Sequence, residues 1–307
     1  MRARFMEVAF LVKAEKTNLN AAGTDGNITS LKKTTEVDDT QRIFISGASI
    51  KYAIKQYLAD IGIMLSPIQG KTKEAQVTTA CDAEKYIDDD LFGYMDTKRD
   101  VRRVAPVKTN GMIALFPYAN DLNRGVRFDP QGTQHSLYDI EIVTTVFRSN
   151  WAIELDRIGK TSDKKEVEEE KREFDLKPDE KERRVKALLE SLFNLWSRVK
   201  QSNYLTSLTP QVLAMVLRDD KTMTIGDKLR INNNYELDVD ALKEVLVYHS
   251  NRIKEAYIGY FDSFIRNGEE LKKLNSLNSD NTKIKVEVMS LPELKQKVLS
   301  NEFKFFT

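Results

Sequence analysis

A chain of 307 residues, 41% of them hydrophobic, can bury a sizeable core in one large domain or two small ones, which excludes a disordered or fibrous chain. Its 48 basic and 47 acidic residues leave a formal net charge of +1, which argues neither for nor against a polyanionic partner. The single cysteine, Cys81, excludes an intrachain disulfide and a cysteine-based zinc cluster, and with only His135 and His249 present, metal chemistry would fall to carboxylates.

No run of 18 apolar residues occurs, and MRARFMEVAF passes from basic residues into a strand-like pattern without a small-residue cleavage site. The expectation is a cytoplasmic protein with no membrane partner. In RFMEVAFLVK, Met6, Val8, Phe10 and Val12 alternate on one face while the other face is also largely apolar, which predicts a central strand covered on both sides. The stretch that follows, AEKTNLNAAGTDGNITSLKKTTEVDDTQ, is rich in Asn, Gly, Thr and Asp and reads as a long exposed functional loop.

RIFISGASIKYAIKQYLADIG then predicts a strand, a turn and an amphipathic helix. Ile50, Ala53, Ile54, Tyr57, Leu58 and Ile61 form one apolar stripe, with Ser46 placed as N-cap and Gly62 as the stop. Lys51 and Lys55 share the opposite face near the helix start, where free N–H groups and the helix dipole favour an anion such as phosphate. Two readings stay open here: a phosphate site, or an ordinary cap with solvated lysines.

Residues 97–127 carry seven basic side chains against two acidic ones, a local charge of +5. Within them VKTNGMIALFPYANDLNRG interleaves Lys108 and Arg124 with Met112, Phe116 and Tyr118, which suits either a hairpin that tracks phosphates and wedges apolar side chains between bases or an ordinary strand with core aromatics. Asp139 to Leu155 is strand-like but long, so a break or bulge is expected near Arg148 to Asn150. Residues 160–186 hold ten charges of each sign and read as a solvated loop or frayed helix. Val185, Leu188, Leu189, Leu192, Trp196 and Val199 predict a helix stripe, QVLAMVLR a strand, Leu242 to Ile253 a helix, and KIKVEVM a late strand. Strands and helices mix without a regular repeat, which points to an α+β chain.

Catalytic motifs are few. Gly70-Lys71-Thr72 ends like a phosphate loop, but Leu65 stands where the earlier glycine belongs. GTDG at Gly23 to Gly26 lacks the third glycine and the following helix of a dinucleotide fingerprint. Asp88, Asp89 and Asp90 could meet magnesium, yet adjacent carboxylates diverge, and a solvated loop is the expectation. No serine elbow or Cys/His pair is present, so no catalysis and no cofactor are expected.

Together RIFISGASIKYAIKQYL, DDDLFGYM, PVKTNGMIALFPY and QHSLYDIEIVTTVFRSNWAIELDRIG, in that order and spacing, resemble the backbone subunit of the CRISPR-associated Cascade complex, the seventh Cas protein family in its DevR/Cst type of type I-B systems. The resemblance covers residues 4 to 160, and continues more loosely in register through the ALLESLFNLW helix.

It implies a ferredoxin-like, RNA-recognition-type palm with large insertions, a thumb hairpin and finger-like helical elements. Residues 1–307 would form one RNA-binding domain, with the thumb at about 106–138 and a charged mobile insertion at about 160–184. By the same resemblance Arg42, Ser46, Gly47, Ser49, Lys51 and Lys55 would contact the guide backbone, with Asn18, Asn20 and Lys108 on the same surface and Met112 and Phe116 as the base-displacing wedge. The implied partners are CRISPR RNA, target DNA, further copies of the chain, a large subunit, a fifth-family Cas cap subunit and, as a further candidate, a guide-processing endoribonuclease. No RGFGFV-like aromatic run is present, so base-specific readout by the palm is not expected. Two alternatives accompany this reading. One is a type III-like subunit that cuts RNA with a loop aspartate, for which Asp25, Asp38 and Asp39 are the candidates. The other is a regulator that binds nucleic acid without a guide.

Overall fold

A computed structural model describes residues 2–70, 77–132, 136–167, 173–196, 205–278 and 284–306. In chain order it runs β1 (Phe5–Thr17), β2 (Ala21–Asp25), β3 (Ile28–Leu31), β4 (Lys33–Thr35), β5 (Gln41–Ile45), α1 (Gly47–Asp60), α2 (Ile87–Phe92), β6 (Tyr94–Asp96), β7 (Val101–Arg103) and β8 (Val107–Ala114). Then come β9 (Asp121–Arg127), β10 (Ser136–Ile153), α3 (Pro178–Phe193), β11 (Val212–Arg218), α4 (Val239–Tyr248), β12 (Ile253–Tyr260), α5 (Gly268–Lys272), β13 (Lys285–Ser290) and α6 (Leu291–Leu299).

Among the described residues eleven strands make one sheet, whose main path is β13-β12-β11-β1-β10-β8-β5-β4. Its centre, β11-β1-β10-β8, is antiparallel throughout, with α1 joining β1 towards β8 and α3 joining β10 to β11. That order is the ferredoxin-like α+β arrangement. β1 is apolar on both faces because both are covered. Met6, Val8, Phe10 and Val12 pack with Ile50, Ile54 and Leu58 of α1, with Val185, Leu188 and Leu192 of α3, and with Leu294 and Val298 of α6. Ala9 and Leu11 face the other way, among Val212, Val216, Leu242 and Leu246. Full burial of each large aliphatic side chain is worth on the order of 2 kcal/mol.

The expected irregularity in the long strand is present: the pairing of β10 with β8 shifts register between Ser149 and Trp151. Several other expectations need correction. The polar stretch after β1 is folded into the hairpin β2–β3 and the short strand β4, because Glu141 accepts the Leu31 N–H at 2.7 Å and the Lys33 ammonium at 2.6 Å. The α3 stripe ends at Phe193: Trp196 is exposed and Val199 lies outside the described residues. The helix expected over Leu242 to Ile253 is Val239–Tyr248, and Ile253 already begins β12.

Asp88, Asp89 and Asp90 are not in a solvated loop. They sit in α2, all buried, and each meets different partners. Asp88 accepts from Lys55 Nζ at 2.9 Å and Ser66 N at 2.8 Å, and Asp89 accepts from Ser66 Oγ at 2.7 Å and Asp82 N at 2.9 Å. Asp90 accepts from Arg103 at 2.5 Å and Arg184 at 2.7 Å. The charged segment after residue 160 is likewise partly built in. Glu166, Glu182 and Arg184 are buried, and Glu166 lies 2.5 Å from Arg103, while 168–172 fall outside the described residues.

Candidate nucleic-acid interface

The site begins where β5 turns into α1. Ser46 is the N-cap, extended at φ −65° and ψ 149°, with its Oγ accepting the Ser49 N–H at 3.4 Å. Behind the turn, two glycines let β8 come close. Gly111 has φ +88°, and a Cβ there would lie 2.0 Å from the Ile45 carbonyl oxygen; a Cβ on Gly47 would lie 2.9 Å from that of Thr109. The helix start is therefore held against the edge of β8 at Thr109 to Gly111, with Asn110 exposed beside it.

The two lysines differ. Lys55 is the counter-ion of buried Asp88. Lys51 is half-buried with its ammonium 5.6 Å from the Phe92 ring, and burial followed by the Lys55 charge pushes its pKa below the usual lysine range. An anion at the helix start would relieve that like-charge strain.

Cross-strand partners share a face of a sheet. Ala9, Asn150, Leu11, Arg148, Ile113 and Phe44 are linked in this way, and Ala152 pairs with Lys108. The same face that α4 covers at the β11–β12 end is open and polar over β10, β8 and β5. Lys108 and Asn110 are exposed there, and Arg42, Arg148 and Asn150 are partly so. One cavity of about 430 Å³ is lined by Lys108, Asn110, Asn150, Met223 and Asp227, and one of about 310 Å³ by Arg42, Arg148, Arg230 and Glu36. Buried Glu7 anchors the wall of the first, accepting from Thr224 N at 2.7 Å, Thr224 Oγ at 2.9 Å, and the Ile225 and Gly226 N–H groups at 2.9 Å.

A second lobe leaves this face. The first half of β10 pairs with β9 on one side and β3 on the other, and β3 pairs with β2. Val126 faces Leu137, and Arg124 faces Asp139, the latter pair joined at 2.8 Å. Both apolar partners are exposed, as are Leu122 and Phe128, the latter at 77%.

The family model for the CRISPR-associated negative auto-regulator DevR/Csa2 matches residues 8–235. The chain belongs to that family. Its fold is similar to a chain titled "CRISPR RNA-guided surveillance complex, pre-nicking", with a TM-score of 0.61 and 12% identity over 97% of this chain and 100% of that one. A chain titled "CRISPR RNA-guided surveillance complex" is similar at a TM-score of 0.59 and 12% identity, with the same coverage. No curated protein matches.

In this DevR/Csa2 family member the sequence-derived residues divide into groups. Ser46, Gly47, Ser49 and Lys51 gather at the α1 start, and Arg42 and Lys108 lie on the open face. Lys108 pairs with Glu154, and Arg42 donates to the carbonyls of Leu115 and Ala114. Asn18 is buried, donating to the Glu141 carbonyl at 2.7 Å, and Asn20 donates to the Phe44 carbonyl at 3.3 Å, so both amides brace the lobe's base. Met112 is corrected outright. It lies in the core at 1% exposure and has no free surface to wedge between bases, because it points from β8 into the core that α1 covers, with Ile45, Ile50 and Ile54. Phe116 is partly buried against the second core cluster. The segment 106–138 thus divides into an inner strand and a projection that starts after Pro117. Sequence reasoning missed Arg148, Arg230 and Phe128, although Arg148 is the one basic residue of the long strand β10, which could have marked it. Asp25, Asp38 and Asp39 are exposed, with Asp38 held below the usual carboxylate range by its hydrogen bonds from Thr40. Among the described residues no helix is long and apolar enough to cross a membrane.

Proposed function

We propose that the chain is a guide-binding backbone subunit of a type I-B Cascade interference complex, several copies of which line up along a CRISPR RNA and present it for pairing with target DNA. The observation that carries this reading is the open cationic half of the sheet, running into the α1 start at Ser46 and Gly47, in a DevR/Csa2 family member. Contacts of this kind go to phosphate and ribose, so they position the guide and leave target choice to base pairing. Arg42, Ser46, Gly47, Ser49, Lys51 and Lys108 make those contacts, with Asn20 at the edge. The lobe of β2, β3, β9 and β10 is the thumb, and its exposed Val126, Phe128 and Leu137 replace Met112 as the apolar tip. The chain acts in the cytoplasm as a non-catalytic scaffold. Its partners are further copies of itself, a large subunit, a cap subunit and a guide-processing endoribonuclease.

The test is to co-express the protein with its CRISPR array and sister subunits, purify in high salt and sequence the retained RNA. A discrete guide-length RNA, lost on Lys51→Glu, is the expected result; protein without RNA overturns the reading. The family's description as a negative auto-regulator favours one second reading, a regulator that binds nucleic acid without a guide. Recovery of DNA in place of a guide-length RNA would select it.

A further inference from the structure

We infer that the 310 Å³ cavity between β5, β8, β10 and the 227–231 segment is a phosphate pocket in which Arg148, Arg230 and Arg42 converge on one phosphate group. This rests on the nucleic-acid reading above and adds an anion site apart from the α1 start.

Each guanidinium is fixed along one edge by backbone carbonyls. Arg148 Nη1 donates to the Asp227 carbonyl at 3.0 Å, Arg230 Nε donates to the same oxygen at 2.5 Å, and Arg42 Nη1 donates to Leu115 and Ala114. A guanidinium carries five N–H donors, so most remain available. The Nε of partly buried Arg148 has no acceptor among the described residues, and a bound oxyanion would supply one. Two carboxylates face the cluster: Glu36 lies 3.4 Å from Arg42 Nε, and Asp227 lies 3.9 Å from Arg230 Nη2. Three positive and two negative groups leave an excess of one positive charge. Burial and then the Arg230 charge push the Arg148 pKa down, with Arg42 adding to this and Asp227 and Glu36 opposing it. A like-charge cluster with a buried empty donor is an anion site by its electrostatics. Three guanidiniums held by different strands and a loop suit the tetrahedral oxygens of a phosphate better than a planar carboxylate, which one arginine satisfies in bidentate fashion.

The phosphate could belong to a polynucleotide backbone or be free, and two measurements on the full chain separate these sources. The first is the affinity for a single-stranded RNA oligonucleotide as a function of NaCl, for wild type, Arg148→Gln, half-exposed Arg230→Gln, and exposed Arg102→Gln on β7. The slope of log K against log salt falls by about 0.7 for each phosphate that either pocket variant no longer neutralises, and is unchanged in Arg102→Gln. The second is the melting temperature as inorganic phosphate is added. RNA binding with an unchanged slope in both pocket variants overturns the pocket and leaves the guide reading standing. No RNA binding by wild type, with phosphate raising its melting temperature but not that of Arg230→Gln, keeps the pocket and removes the guide reading. Failure of both responses overturns the pocket.

Discussion

Single side chains on the open face have two tasks, and the structure separates them. Glu154 holds Lys108 and Lys221, the latter at 2.7 Å. Burial pushes its carboxyl up, but the two ammonium groups more than offset this and hold it below its ordinary value of 4.5. A depressed carboxylate contributes stability that is present above its unfolded pKa and is lost as pH falls through the folded value. Glu154→Gln is therefore less stable than wild type at pH 7, and the gap between their urea midpoints closes as pH falls below 4.5. Lys55 and Lys51 look alike in sequence and are not. Lys55→Glu sets a second carboxylate against buried Asp88 and lowers stability by about 1–3 kcal/mol, the partial exposure of Lys55 discounting the full cost of a broken buried pair. Lys51→Gln removes a charge that has no ion pair among the described residues, so it weakens RNA binding without lowering the melting temperature. Parallel thermal melts and RNA binding on the two variants check this. A loss of RNA in a Lys55 variant is therefore read beside its melt, because the same substitution breaks the Asp88 pair.

At the scale of elements, the β8–α1 junction sets the site, and Gly111 sets the junction. Gly111→Ala combines a left-handed φ of +88° with a Cβ 2.0 Å from a carbonyl, so it destabilises by more than about 3 kcal/mol. Gly132→Ala, at φ +71° with no described atom within 4 Å of the new Cβ, costs about 1–2 kcal/mol. Urea unfolding of both variants makes the comparison, and equal costs would show that the close approach does not hold the helix start. The elements legible in the sequence are those with a clean period: the doubly buried β1, the amphipathic α1 with its serine cap, and the bulge in β10. The polar strands β2, β3 and β4 are not legible, since they bury little and are fixed by Glu141, more than 100 residues away in sequence from Leu31 and Lys33. Asp88 to Asp90 mislead for a related reason. A run of like charges reads as solvated, and one of the two counter-ions of Asp90, Arg184, comes 94 residues later. Half of the candidate site has a local signal as well. Ser46, Gly47 and Lys51 announce themselves by helix-start chemistry, whereas Arg148 and Arg230 meet only through the tertiary fold.

For the whole molecule, a net charge of +1 hides an uneven distribution. The +5 of residues 97–127 is largely neutralised within the protein: Arg103 by Asp90 and Glu166, Arg99 by Asp96, Lys108 by Glu154 and Arg124 by Asp139. The cationic face is assembled from Arg42, Arg148 and Arg230, far apart in the chain. The projecting lobe keeps apolar residues in solvent, which a monomer rarely does without use for them. Phe128→Ser leaves the melting temperature within about 1 °C of wild type, since a surface substitution moves stability by no more than a few tenths of a kcal/mol. The same variant shortens the RNA protected from nuclease in the assembled particle. The central claim is that copies of this chain repeat along one RNA, and native mass spectrometry of the co-expressed complex tests it most directly. The account predicts one RNA carrying several copies of the 35.3 kDa chain, with copies added as the guide is lengthened. A particle holding a single copy whatever the guide length, or copies assembled without RNA, would contradict it.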